Sequence, residues 1–98
     1  MLAKITLFVR LASRFKNTMM ERELKLIWDF RGPAANKTAI HHEIHLKEYI
    51  QLEKLTLEIT GVEHLTDMHS IAFMVVSEKE MKPVRDALKP HRGQVYIR

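Results

Sequence analysis

From about residue 20 onward, the amino-acid sequence predicts an α+β fold built on one antiparallel sheet. Two stretches alternate apolar and polar residues as strands do, and residues 36–54 show the periodicity of a helix. Residues 69–76 are apolar on both sides of an extended chain. The chain has 98 residues, of which 46% are hydrophobic, and this suits one small domain with its own core.

The first strand and the long helix are the most regular part of the chain. The strand is expected from Glu23 until Gly32 and Pro33 stop it, and Asn36 is the expected N-cap of the helix. Ile40 and Ile44 lie away from the main helix sector and form a second apolar spot that needs a partner. The apolar strand face holds Leu24, Leu26, Trp28 and Phe30, and the core sector of the helix holds Ala35, Ala39, His42, Leu46, Tyr49, Ile50 and Glu53.

The second half of the chain repeats the pattern of strands and helix. Alternation over residues 55–59 predicts a strand that ends near Gly61 with a bulge or bend, and residues 62–68 are predicted to be a strand end and turn. Residues 69–76 are expected to form a central strand. Residues 77–80 have the form of a capping box, and Pro83 predicts a short, kinked or late-starting helix. Pro90 closes that helix, and residues 94–97 are the last predicted strand.

This order of elements predicts a ferredoxin-like βαββαβ plait with a four-stranded antiparallel sheet. Both helices of a plait cover the same sheet face. Ile27 and one side of residues 71–76 would then place apolar groups on the other face. Exposed apolar patches are unusual on monomers, so a homodimer packed sheet to sheet is expected.

Residues 45–61 carry a resemblance to a known superfamily. His45, Leu46, Tyr49 and Ile50 lead through Leu55 and Leu57 to Thr60 and Gly61, which is similar to the His-Leu-x-x-Tyr helix and following strand of YciI-like proteins. With the element order, the chain resembles the dimeric α+β-barrel superfamily, including its antibiotic monooxygenase-like members, over about residues 20–98. The resemblance implies a pocket for a small and largely apolar molecule, and a histidine that acts with an acidic residue.

Residues 1–19 differ from the rest of the chain. Residues 1–18 contain four basic residues and no acidic one, which equals the net charge of +4 of the whole chain, while the rest is balanced. We interpret residues 1–19 as an appended segment, either an extra edge strand or a non-native start. A transit peptide is the alternative. Residues 20–98 are the predicted domain.

The long helix holds the residues that could carry chemistry. His45 is the candidate catalytic acid or base, with Asp67 or Asp29 as its orienting carboxylate. His41 and His45, or His42 and His45, have spacings that could share a divalent metal, with Glu43, His64, His69 or Asp67 as a third ligand. Spacing alone is a weak motif, so no metal and no other cofactor is assigned. The simpler interpretation, histidines at the edge of the core, is favoured.

A ligand pocket is predicted beside the long helix. Trp28, Tyr49 and Phe73 would line it, Arg31 would close it on a ligand carboxylate, and His42 and His45 would be its polar contacts. Ordinary packing of the aromatic residues in the core is the favoured alternative.

Composition excludes several classes of function. There is no cysteine, so disulfides and thiolate chemistry are excluded and a cytoplasmic location is expected. No apolar run could span a bilayer. A charge-balanced domain without RNA-binding aromatic motifs predicts no nucleic-acid partner.

The sequence therefore predicts a homodimer that binds a small apolar or amphipathic ligand and could be a cofactor-free enzyme. The alternatives are a metal-binding protein using the helix histidines and a structural dimer without a ligand.

Overall fold

The computed structural model describes residues 22–97, so the predicted appended segment of residues 1–19 lies outside the described residues. The elements are β1 (Glu23–Arg31), α1 (Ala35–Glu53), β2 (Ile59–Thr66), β3 (His69–Ser77), α2 (Glu78–Leu88) and β4 (Arg92–Tyr96). The strands form one antiparallel sheet in the order β2-β3-β1-β4, so the βαββαβ order matches the predicted ferredoxin-like plait. No helix within residues 22–97 is long and apolar enough to cross a membrane.

The core lies between the sheet and α1, with Val84 of α2 at its edge. β1 and β3 pair along their whole length, with Trp28 opposite Ala72 and Leu26 opposite Met74. Partners in antiparallel strands share a face, and these four side chains are buried in one cluster. The expected apolar face of β1 and the expected two-sided burial of β3 are both confirmed.

The long helix packs as its periodicity predicts but begins differently. Ala35, Ala39, Leu46 and Ile50 are buried, whereas Ile40 and Ile44 are 47% and 49% exposed. The helix begins at Ala35 after Ala34, so the predicted N-cap role of Asn36 is wrong. Asn36 lies in the first turn, where its Oδ1 accepts a hydrogen bond of 3.4 Å from the Ser70 hydroxyl.

The second strand was predicted too early in the chain. β2 runs over Ile59–Thr66, and residues 54–58 form a connection instead. Lys54 adopts the left-handed conformation (φ 53°) that ends α1, and the Leu55 N–H bonds to the Ile50 carbonyl. The Thr56 N–H and hydroxyl donate to the Glu80 carboxylate of α2, at 3.1 to 3.3 Å. The alternation of Leu55 and Leu57 therefore belongs to a loop that is held by hydrogen bonds of Leu55 and Thr56.

The start of α2 lies where the capping box predicts it, with Ser77 as the N-cap. The Ser77 hydroxyl donates to Glu80 Oε1 at 3.2 Å and makes no bond to the helix backbone. Pro83 lies inside the helix, which continues to Leu88. β4 begins at Arg92, two residues earlier than predicted, and pairs with β1 from Ile27↔Arg92 to Glu23↔Tyr96.

The sheet face away from the helices differs from the expectation of an exposed apolar patch. Ile27, Ile71 and Val75 lie on this face and are only 2%, 4% and 0% exposed. The large exposed apolar side chains of the described residues lie elsewhere: Ile40, Ile44, Leu52, Leu65, Met68, Val95 and Ile97. The homodimer itself stays a prediction.

A glycine–aromatic contact lies on the same face. Gly61 sits within β2 opposite Phe73, and a Cβ at Gly61 would lie 2.5 Å from two carbons of that ring. The bend predicted at Gly61 is absent; the register shift of β2 lies between His64 and Thr66. Lys25 reaches over the ring with its Nζ 4.3 Å from the centroid and bonds Glu63 at 3.0 Å. The glycine is needed because the ring occupies the space of a side chain.

Candidate functional site

A polar cluster spans three strands on the sheet face away from the helices. Asp29 of β1 accepts a hydrogen bond from His69 Nε2 of β3 at 2.8 Å, and its other oxygen accepts from Arg92 Nε of β4 at 2.9 Å. Asp29 and His69 side chains are only 16% and 18% exposed. Hydrogen bonds from Arg92 and His69 hold the pKa of the Asp29 carboxyl well below its ordinary value, so it stays ionised.

The connection between α2 and β4 is anchored next to this cluster. The Asp29 N–H donates to His91 Nδ1 at 2.8 Å, and the His91 N–H donates to the Ile27 carbonyl. On the helix side, the Trp28 indole N–H donates to the Leu88 carbonyl at 3.0 Å. Because Nδ1 of His91 is an acceptor, the proton of the neutral ring is on Nε2. His91 is therefore held with one N–H left to donate elsewhere.

A cavity of about 480 Å³ opens beside this connection, between α2 and the β1–β4 edge. Its apolar lining comes from Leu24 and Leu26 of β1 and Met81 of α2, with Val95 and Pro90 at the side. Its polar lining comes from Arg85, His91, Arg92 and Gln94. Ligand pockets in proteins range over roughly 300–1,000 Å³, so the cavity has a suitable size for a small molecule.

His42 of α1 is held against the core. Its ring lies 5.0 Å from the Trp28 ring and 5.4 Å from the Phe30 ring, centroid to centroid. Its Nε2 is buried and has no hydrogen-bond partner among the described residues. Burial, with smaller contributions from His45, His91 and His41, lowers the pKa of His42 below its ordinary value. His42 is therefore a neutral, packed ring rather than an exposed polar contact.

His41 and His45 form an exposed pair on the outside of α1. Their Nε2 atoms lie 3.1 Å apart, and His45 Nδ1 lies 3.3 Å from Glu48 Oε1. Within residues 22–97, no group of three or more histidine, aspartate or glutamate side chains is placed to hold a metal ion. The suggested third ligands have other partners, since His69 contacts Asp29, His64 contacts Ser70 and Asp67, and Glu43 contacts Thr60.

Only some of the residues predicted to line a pocket beside the long helix lie together. Trp28 is buried in the core, and Tyr49 packs against the same core, where burial raises its pKa. Phe73 lies on the opposite sheet face, because it pairs with Ile27 and not with Trp28. Arg31 is exposed at the end of β1. Trp28 and His42 do meet, but in a packed contact.

Sequence reasoning missed most of the residues now of interest. The sequence predicts Asp29 only as a carboxylate for His45, whereas it contacts His69, Arg92 and His91. Those contacts depend on the strand register, which periodicity alone does not fix. Arg85 was detectable, as the basic residue in the last turn of an amphipathic helix whose apolar side carries Met81, Val84 and Leu88.

In comparisons with known proteins, no family model, no curated protein sequence and no solved structure matches the chain. The fold is therefore described by its own elements, a small α+β domain whose two helices and four-stranded antiparallel sheet are compatible with a ferredoxin-like plait.

Proposed function

We propose that this chain binds a small amphipathic molecule carrying a carboxylate in the cavity between α2 and β4. The observation that supports this function is the cavity of about 480 Å³, whose lining combines apolar side chains with hydrogen-bond donors. The apolar body of the ligand would lie on Leu24, Leu26 and Met81. The flexible thioether of Met81 lets this apolar lining adapt to ligands of more than one shape.

The polar lining favours an acidic group on the ligand because its charged side chains, Arg85 and Arg92, are cationic. Arg85 is half exposed, and its Nε lies 3.4 Å from Asp86, an ion pair too open to water to be strong. His91 offers its Nε2–H, since Nδ1 is occupied by the Asp29 N–H. Arg92 is already bound to Asp29, so Arg85 is the residue we assign to the ligand carboxylate.

The proposal does not require a second chain. The cavity is lined by residues of one chain, which come from α2, β1, β4 and the connection before β4. A dimeric α+β barrel of the YciI-like type, with sheets face to face, remains a prediction that rests on element order and on the motif around His45. A barrel of that kind would leave the α2–β4 cavity outside the sheet-to-sheet contact.

Calorimetric titration with octanoate and octanol tests the proposal, because the two probes share a tail and differ in the acidic group. Octanoate is expected to bind more tightly than octanol. The change Arg85→Gln should weaken octanoate binding about fivefold, the equivalent of about 1 kcal/mol for a half-exposed ion pair, and leave octanol unchanged.

The matched control is Lys82→Gln, which removes the same charge from an exposed position of α2 that does not line the cavity. Absence of binding by both probes would contradict the small-molecule function. An equal effect of the Arg85 and Lys82 substitutions would contradict the assignment of the carboxylate to Arg85.

A further inference from the structure

The cavity does not explain the outer face of α1, which is made by Ile40, His41, Ile44, His45 and Glu48. Ile40 and Ile44 are 47% and 49% exposed, one turn apart on a helix whose other face fills the core. His41 and His45 lie beside the two isoleucines and are also one helical turn apart. The apolar pair and the two imidazoles therefore form one exposed surface.

The distance between the two histidine nitrogens is compatible with two ligands of one metal ion. Zinc binds imidazole nitrogen at about 2.0–2.1 Å, so an ion equidistant from two nitrogens 3.1 Å apart would see them at an angle of about 98°, close to the tetrahedral value. Glu48 lies 3.3 Å from His45 Nδ1. A carboxylate that accepts the Nδ1–H leaves the Nε2 lone pair for a metal, which is the usual orientation of a zinc-bound histidine.

Two imidazoles fill only half of a tetrahedral zinc site. No third histidine, aspartate or glutamate of the described part of the chain completes the group. A second copy of the same surface, related by a two-fold axis through the metal, supplies two more histidines and completes four ligands. We infer that two copies of this chain associate through the outer face of α1 around one shared zinc ion bound by His41 and His45 of each.

The rest of the face fits this arrangement. With the two α1 helices antiparallel about the metal, the Ile40 and Ile44 pairs of both copies would meet beside it and bury their exposed area. Helical spacing then places Lys37 of one copy opposite Glu48 of the other, so opposite charges meet at each end of the contact. The occupant of the face is therefore a second copy rather than a chain of different sequence.

Native mass spectrometry and light scattering of the untagged protein, with added zinc and then with EDTA, test this inference. Zinc is expected to convert a chain of 11.5 kDa to twice that mass with one ion per two chains, and EDTA should reverse the change. The double substitution His41→Ala, His45→Ala should abolish the zinc-dependent dimer. The control His64→Ala removes an exposed histidine of β2 and should not alter it.

A finer test separates the metal from the apolar contact. Ile44→Lys should shift the stoichiometry toward one zinc per chain and favour the monomer, because the ion stays bound while the apolar contact is lost. Glu48→Gln should weaken zinc binding about tenfold, because it releases the orientation of His45 and removes the charge opposite Lys37 of the second copy, whereas Glu53→Gln on the same helix should not.

Two results would overturn the inference. Zinc bound to wild-type protein as one ion per monomer would show that the pair does not bridge copies. A dimer that persists in EDTA and in the double histidine variant would assign association to another surface, such as the sheet face. Circular dichroism of the double variant checks that loss of the dimer is not caused by unfolding. The helix signal should be retained, since alanine favours the helix more than histidine does.

Discussion

The contact between Gly61 and Phe73 gives a prediction whose size follows from the structure. A Cβ at Gly61 would lie 2.5 Å from two ring carbons, against about 3.5–4.0 Å for an ordinary contact, so the ring must move by roughly 1 Å or more. The ring lies under Lys25, and this limits the movement. Overpacking of this kind costs about 1–3 kcal/mol, while the loss of glycine freedom in the unfolded chain returns about 0.4–1 kcal/mol.

The change Gly61→Ala should therefore destabilise the wild-type protein by about 1–2 kcal/mol, measured by urea unfolding followed by circular dichroism. In a Phe73→Ala background the space is open, and the same change should stabilise by about 0.5 kcal/mol. The control is Gly93→Ala, whose Cβ would meet its nearest atoms at 3.5 and 3.6 Å and should not destabilise. A coupling energy between Gly61 and Phe73 below about 0.5 kcal/mol would refute the reasoning.

Two further substitutions test the buried polar groups. His42→Leu should raise the free energy of unfolding at pH 7 by about 1 kcal/mol, because it removes a buried nitrogen without a partner. Because the pKa of His42 is lower in the folded chain, the unfolded chain binds this proton at a higher pH. Wild-type stability should therefore fall as pH drops below about 6.5, and the His42→Leu variant should lack this part of the pH dependence. Asp29→Asn should cost about 1–2 kcal/mol above pH 4, since it removes a charge bound by Arg92 and His69. The Asp29 pKa is lowered by folding, so this difference should shrink as pH falls below about 3.9; a pH-independent difference, measured by thermal unfolding, would contradict the assigned ion pair.

Periodicity predicted those parts of the fold in which side-chain burial follows chain spacing. The alternation from Leu24 to Phe30 placed β1 and its core face, and the two-sided apolar run placed β3 at the centre of the sheet. The same spacing identified Ile40 and Ile44 as residues outside the core. These features depend on local pattern and on the hydrophobic effect, and both are visible in a sequence.

The misplaced β2 has a physical cause. Leu55 and Leu57 alternate as strand residues do, but Leu55 packs against the core from the loop, and Thr56 is held by Glu80 of a later helix. Lys54 ends α1 in a left-handed conformation that glycine normally adopts, so the usual sequence signal for the end of a helix was absent. The contact between Thr56 and Glu80 therefore favours a loop where the local pattern predicts a strand.

The polar sites could not be predicted because their members are distant in the chain. Asp29 lies 40 residues from His69 and 63 from Arg92, and the strand register alone brings the three together. Phe73 could not be placed for the same reason, because only the register shows that it lies on the face opposite Trp28. The His41–His45 pair was predictable because both residues belong to one helix.

Amide chemical shifts of ¹⁵N-labelled protein during an octanoate titration test the central claim most directly. The account predicts saturable changes at Leu26, Met81, Gly93 and Val95, which surround the cavity between α2 and β4. Changes centred on Tyr49 and His45 instead, or no saturable change at any residue, would contradict the assignment of ligand binding to this cavity.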